Sequence, residues 1–212
     1  MLESKLSAYA SVPISHGVLI SLLRDYRRPN DKIADWLAKG VLIPLRRGLY
    51  LVGTEWRRGT VALPLIANHL YGPSCVSLDY ALAWHGMIPE HVVEVTSVSS
   101  RRSRVIENPI GRFSYSTVPA KLYSVGMMME STAEGVSFLM AGPEKALCDK
   151  VLLTRHLMVS GVASMQRFLF DDLRIDPDTL SRVDLSLIEV YAVSGFKPRQ
   201  LLTLLRVLER LQ

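Results

Sequence analysis

The sequence of 212 residues predicts an α+β fold in two parts, and three observations predict it. Helical periodicity and two short apolar strands fill residues 1–60. Strand-like segments follow residue 60 and give way to a helical C-terminal end. Residues 1–60 contain ten Lys/Arg and five Asp/Glu, so the whole net charge of +5 lies there, and residues 61–212 are neutral. A domain boundary is therefore predicted near residue 60, with a sub-boundary near residue 158 as an open alternative.

The N-terminal part contains three predicted helices and a hairpin. The first helix covers residues 2–10, and Ser15 can cap the second. The third is DKIADWLAKG, which ends at Gly40. Two apolar runs follow, VLIPL and LYLV, joined by Arg46, Arg47 and Gly48, and they predict a hairpin whose Pro44-containing strand lies at an edge.

Helix, helix, turn, helix and hairpin in this order are typical of a winged helix-turn-helix. In that fold the third helix enters the DNA major groove and the hairpin, or wing, lies beside it. Asp31 and Asp35 on the third helix would repel phosphate, although Asp35 could accept from a cytosine or pair with Lys39. Asn30 has two open roles, base reading and helix N-cap. The residues predicted to contact DNA are Arg27, Arg28, Asn30, Lys32, Lys39, Arg46 and Arg47.

Two other interpretations of this part stay open. A winged helix can serve as a protein–protein module, and a basic hairpin tip can be a solvated turn.

A second basic run lies outside the N-terminal part and contains Arg101, Arg102 and Arg104. It could contact RNA or an acidic partner, or it could be a solvated loop.

Residues 61–212 are expected to form a mixed domain with a small, mostly antiparallel sheet. Helices are predicted over 61–72, from 77 to 85 with Ser77 as the cap, and from Pro143 onward. Residues 101–104 are predicted to be a loop. Strands are predicted over residues 91–100, 112–119, 122–129 and 136–142.

No motif in the chain indicates an enzyme. Phosphate-binding and dinucleotide-binding fingerprints are absent from the sequence. The residues Ser74, Ser77, Asp79, His85 and His91 could be combined into a triad, but no strand–turn–helix elbow frames either serine. Lys145 and Asp149 are expected to form a structural i, i+4 pair. We therefore predict no catalytic residue, no cofactor and no metal site.

The two cysteines and the apolar segments point to a cytoplasmic protein. Cys75 and Cys148 match neither a disulfide scaffold nor a metal site and are expected to be buried free thiols. No apolar run approaches the length of a membrane span.

Three segments together resemble the AbiEi family of antitoxins and related regulators. They are GVLIPLRRGLYLV, VSLDYALAWHGM and AGPEKALCDKVLL, and the resemblance covers about residues 10 to 155. It implies a bacterial repressor that binds double-stranded DNA at inverted repeats in its own promoter. The repressor is expected to bind these repeats as a homodimer. It also implies that the C-terminal domain counteracts a nucleotidyltransferase-like toxin, AbiEii, in a type IV system without requiring a stable complex. The family supplies no catalytic residues.

Overall fold

The structure is a computed structural model, and it describes residues 6, 8–9, 12–57 and 59–212. Most of the helix predicted over residues 2–10 lies outside the described residues. The described part mixes helices with two sheets and is consistent with the α+β prediction.

The N-terminal elements surround a three-stranded antiparallel sheet. They are β1 (Ile14–Ser15), α1 (His16–Leu22), α2 (Pro29–Ala38), β2 (Leu42–Arg46) and β3 (Leu49–Val52). The strand order is β1–β3–β2, so the strand that carries Pro44 is an edge strand, as predicted. The Ser15 hydroxyl accepts from the Val18 amide at 3.3 Å, which confirms the predicted cap of α1. Strand β1 is not among the predicted strands, because two residues are too few to show an alternating pattern.

The larger part contains a six-stranded sheet covered by helices. The helices are α3 (Leu63–Leu70), α4 (Leu78–Trp84), α5 (Ala120–Tyr123), α6 (Pro143–Leu153), α7 (Val162–Arg167), α8 (Pro177–Leu180), α9 (Leu185–Ala192) and α10 (Pro198–Leu208), with a π-helical turn at Phe168–Asp172. The strands are β4 (Cys75–Val76), β5 (Val95–Ser99), β6 (Arg104–Asn108), β7 (Gly111–Thr117), β8 (Met127–Ser131) and β9 (Ser137–Ala141).

This sheet has the order β6–β7–β5–β4–β9–β8. The pairs β6–β7, β4–β5 and β8–β9 are antiparallel, whereas β5–β7 and β4–β9 are parallel. The predicted sheet is therefore present with a more mixed topology, because each parallel pair joins strands that are not consecutive in the chain.

Three predicted segments differ from the structure. The strand expected over residues 91–100 begins only at Val95, and Arg104, expected in a loop, is the first residue of β6. The strand expected over residues 122–129 is divided, because α5 occupies its first part and Gly126 then turns the chain with φ +70°. A positive φ at that point interrupts an extended segment.

The hairpin β2–β3 packs into two separate hydrophobic cores. Leu42 and Val52 lie in a small core with residues of α1 and α2. Leu45, Leu49 and Leu51 lie in the large core that extends to α10. The hairpin thus joins the two parts of the molecule by hydrophobic burial.

Both cysteines are buried free thiols, as predicted. Burial raises the pKa of Cys75 to about 12, so this thiol stays protonated at neutral pH. Among the described residues, none of the helices has the length and apolar character needed to cross a membrane.

Candidate nucleic-acid interface

The tip of the hairpin is held against the larger part of the molecule. Arg46 and Arg47 precede Gly48, whose φ of +75° closes the turn, and both arginines are exposed. The Arg46 guanidinium donates to the carbonyl oxygen of His69 at 3.4 Å. Directly before the tip, the Asn108 side-chain amide donates to the carbonyl oxygen of Leu45 at 3.2 Å. These two contacts fix the tip beside the end of α3 and beside β6.

A basic groove of about 680 Å³ lies between the hairpin tip and β6. Two of its arginines, Arg46 and Arg47, come from the hairpin, and two, Arg101 and Arg104, come from the second basic run. We call it the arginine groove, and it is lined by Arg46, Arg47, Leu70, Tyr71, Gly72, Arg101, Arg104, Val105, Ile106 and Glu107. The fold thus brings together two basic segments that are far apart in sequence.

Tyr71 fixes the second basic run in place. Its hydroxyl donates to the carbonyl oxygen of Arg102 at 3.0 Å, and the Arg104 guanidinium lies 5.8 Å from the centre of its ring. A guanidinium over an aromatic face is attracted by the ring quadrupole. The lining of the groove thus combines four arginines with the aromatic ring of Tyr71.

The charges of the arginine groove are mostly uncompensated. Within the described part of the chain, none of its four arginines forms an ion pair with a carboxylate. Its acidic residue, Glu107, is paired with Arg112. Guanidinium groups that are not paired with carboxylates and converge on a concave surface suit phosphate or carboxylate oxygens. The groove can therefore bind an anion.

The pKa of His69 is affected by the positive charge of the hairpin tip. Its pKa is lowered from the ordinary value of 6.5, first by burial and second by the positive charge of Arg46. A neutral His69 adds no charge of its own next to the hairpin tip. An anion bound to Arg46 would weaken the second effect.

Helix α2, the predicted base-reading helix, has its cations paired with its own carboxylates. Arg28 pairs with Asp31 at 3.6 Å, and Asp35 pairs with Lys32 at 3.1 Å and with Lys39 at 2.8 Å. Of the two roles considered for Asp35, the pairing with Lys39 is present. Hydrogen bonds from the two lysines lower the pKa of Asp35, so it is ionised at neutral pH. Little net positive charge is left on the exposed face of this helix.

The other two residues predicted on this surface, Arg27 and Asn30, are exposed. The N-cap of α2 is Arg28 and Pro29 is the first helical residue, so the N-cap role considered for Asn30 is wrong. The helix starts earlier than the apolar pattern indicates, because the fixed φ of proline suits the first helical position. The Asn30 amide is therefore accessible to a ligand.

Three of the side chains considered for a catalytic triad, Ser77, Asp79 and His85, have partners outside it. Ser77 occupies the N-cap position of α4, as predicted, but its hydroxyl donates to Asp149 at 2.8 Å and makes no capping hydrogen bond to the helix. Asp79 pairs with Lys150 at 2.7 Å. The His85 ring nitrogen Nε2 lies 2.8 Å from the carbonyl oxygen of Ala141. Each of these residues has a different partner, so the described side chains do not form a nucleophile–base pair at this place.

The expected Lys145–Asp149 pair is present, and both side chains are completely buried. The Lys145 ammonium lies 3.1 Å from Asp149 Oδ2 and donates to the hydroxyl of Tyr191 at 2.9 Å and to the carbonyl oxygen of Leu122 at 3.1 Å. Tyr191 in turn donates to Asp149 at 2.8 Å. The network joins α4, α6 and α9 to the segment at Leu122.

One contact of the buried network and one partly exposed ion pair connect the segments VSLDYALAWHGM and AGPEKALCDKVLL. Ser77 and Asp79 belong to the first, and their partners Asp149 and Lys150 belong to the second. The polar residues that stand out in both segments thus have a structural role. Because they are inaccessible or already paired, they do not by themselves indicate a binding surface.

The sequence does not indicate that Arg101 and Arg104 lie at the hairpin tip. A basic run in a predicted loop carries no information about which distant segment it contacts. The signal that could have helped is Tyr71, an aromatic residue that directly follows the last residue of α3. No protein-family model matches this chain, and a search of curated proteins found no match either.

Proposed function

We propose that this protein is a bacterial, cytoplasmic DNA-binding regulator that represses its own operon and counteracts a nucleotidyltransferase-like toxin. It would bind inverted repeats in its promoter as a homodimer, since a two-fold protein matches a two-fold site. The proposal requires no catalysis, cofactor or metal. The resemblance of three sequence segments to the AbiEi family motivates the antitoxin half.

The order of the N-terminal elements supports the DNA-binding half. Strand β1, helices α1 and α2 and the hairpin β2–β3 follow one another in the order that a winged helix-turn-helix would require, and the strand order is β1–β3–β2. In that interpretation α2 is the recognition helix and Arg46 and Arg47 are at the tip of the wing. Asn30 is exposed and could contact an adenine edge.

The observation that carries the proposal is the convergence at the hairpin tip of four arginines that, among the described residues, have no carboxylate partner. Phosphate contacts supply most of the affinity of non-specific DNA binding, and arginine is well suited to them. The larger part of the molecule, although neutral over residues 61–212, contributes Arg101 and Arg104 to this surface.

The double variant Arg46→Ala/Arg47→Ala tests DNA binding. We expect weaker binding to every duplex, including the promoter of the protein's own gene, because phosphate contacts carry no sequence information. The slope of log affinity against log salt should also become shallower by about 0.9 for each DNA phosphate that the variant no longer neutralises. Fluorescence anisotropy with a labelled duplex at several salt concentrations measures both.

Arg206→Ala/Arg210→Ala is the matched control, because it removes two arginines that do not line the arginine groove. It should leave affinity and slope unchanged. Equal effects of the two double variants would contradict a role for the hairpin tip.

The self-paired charges of α2 favour a second candidate: an antitoxin that acts through protein contacts and does not bind DNA. The variant Asp35→Asn separates the two. If α2 lies against phosphates, releasing Lys32 and Lys39 should strengthen duplex binding and steepen its salt dependence. Asp178→Asn, which changes an exposed carboxylate elsewhere, is the control. No effect of Asp35→Asn, together with no duplex binding at low salt, would favour the second candidate.

The proposed protection against a toxin has its own test. Cells that express a nucleotidyltransferase-like toxin from a neighbouring reading frame should survive when this chain is co-expressed. Under the second candidate, protection should persist in Arg46→Ala/Arg47→Ala. If the intact protein does not protect the cells, the antitoxin part of the proposal is wrong and only the regulator part remains.

A further inference from the structure

Strand β6 is an edge strand, and the arginine groove runs along its open side. Among the strands that the structure describes, β6 pairs with β7 only. The groove contacts four consecutive residues of β6, which are Arg104 to Glu107. Side chains of a strand alternate between the two faces, so a groove on one face would contact every second residue. Contact with consecutive residues places the groove along the edge, where the backbone is accessible.

The pairing of β6 with β7 identifies the backbone groups on that edge. Asn108 pairs with Gly111 across a two-residue turn, which makes them a hydrogen-bonded pair. Hydrogen-bonded and non-hydrogen-bonded positions alternate along an antiparallel strand. Val105 and Glu107 therefore direct their backbone N–H and C=O groups away from β7 and toward the groove. Within the described residues, no backbone hydrogen bond satisfies them from that side.

The charges around this edge are those that an acidic ligand would need. Arg104 lies on β6 itself, Arg101 lies just before it, and Arg46 and Arg47 line the opposite side of the groove. The carboxylate of Glu107, which would repel such a ligand, is compensated by Arg112. Val105 is 50% exposed, which leaves room beside the strand.

We propose that an extended, acidic segment of a partner protein binds in the arginine groove as an additional strand on β6. Its backbone would pair with Val105 and Glu107 at the usual strand spacing of about 4.8 Å. Its carboxylates, at alternate positions, would contact the arginines. Because Arg46 and Arg47 contribute to both surfaces, such a segment would also displace DNA; only this second statement rests on the proposed function.

Strand addition is tested with the full chain and a labelled seven-residue peptide of alternating Glu and Val, in the absence of DNA. We expect saturable binding in fluorescence anisotropy. Val105→Pro removes one outward N–H at an edge position where proline is tolerated, and should weaken binding about tenfold or more. Val105→Thr keeps the N–H and should bind the peptide like the wild-type protein.

A second measurement leaves the protein intact in case Val105→Pro fails to fold. The same peptide, N-methylated at every backbone nitrogen, keeps its charge but has no backbone N–H on either edge with which to pair, and should bind about tenfold more weakly or not at all. Equal binding of the methylated and unmethylated peptides would overturn strand addition and leave electrostatic attraction only. Absence of binding by the unmethylated peptide at low salt would also overturn it.

Competition separates this inference from the proposed function. If both are correct, the peptide releases a labelled duplex from the wild-type protein but not from Val105→Pro. Peptide binding without any duplex binding would support strand addition and refute DNA binding. Duplex binding that the bound peptide leaves unchanged would overturn the displacement.

Discussion

At the scale of single residues, the neighbours of each basic side chain decide whether its charge remains available to bind an anion. Lys32 and Lys39 look as suitable for DNA as Arg46 and Arg47, yet the two lysines share Asp35 and the two arginines have no carboxylate partner among the described residues. Exposed ion pairs contribute little to stability, but they reduce the local potential that attracts phosphate.

We predict that His69 titrates below its ordinary pKa of 6.5, because burial and the charge of Arg46 both disfavour the protonated ring. Arg46→Ala should raise this pKa, since only burial then remains. The unfolded chain takes up the proton first as pH falls below 6.5, so the free energy of unfolding should decrease in that range. NMR titration of the ring and urea unfolding measure the two effects, and a wild-type His69 pKa above the ordinary value would contradict the prediction.

At the scale of secondary-structure elements, a buried ionic network determines how the helices of the larger part meet. Lys145, Asp149 and Tyr191 connect α6 to α9, and Ser77 connects the start of α4 to the same carboxylate. A buried charge without its partner is far more costly than the intact pair.

Lys145→Met should therefore lower the free energy of unfolding by about 3–5 kcal/mol, because Asp149 would be left without its counter-charge. Replacing both residues, as Lys145→Met/Asp149→Leu, should recover most of that decrease. Urea denaturation of the double variant and of both single variants, Lys145→Met and Asp149→Leu, measures the coupling. Additive effects of the two substitutions would show that the pair does not act as a unit.

At the scale of the whole molecule, the hairpin β2–β3 belongs to both parts of the chain. Leu45, Leu49 and Leu51 fill the large core, although the sequence places them before the predicted boundary near residue 60. That boundary, like the sub-boundary near residue 158, stays a prediction. The hairpin's dual packing means that the charged tip keeps a fixed position relative to Arg101 and Arg104.

A fragment of residues 61–212 should accordingly be less stable than the full chain. Side chains that pack on Leu45, Leu49 and Leu51 would become exposed to water, and each buried aliphatic side chain contributes about 1.5–3 kcal/mol. We expect a lower urea midpoint and binding of a hydrophobic dye. Equal midpoints for the fragment and the full chain would show that the larger part folds independently of the hairpin.

Local sequence was enough to predict several elements: the cap at Ser15, the edge strand at Pro44, the hairpin, the α6 start at Pro143 and the Lys145–Asp149 pair. Each follows from residues within a few positions of one another, where propensity and periodicity act. Tertiary packing, in contrast, placed Arg101 and Arg104 beside Arg46 and Arg47, buried the ion pair and divided the strand at Gly126. Such outcomes depend on contacts between segments distant in sequence, and local pattern carries no information about which segments meet.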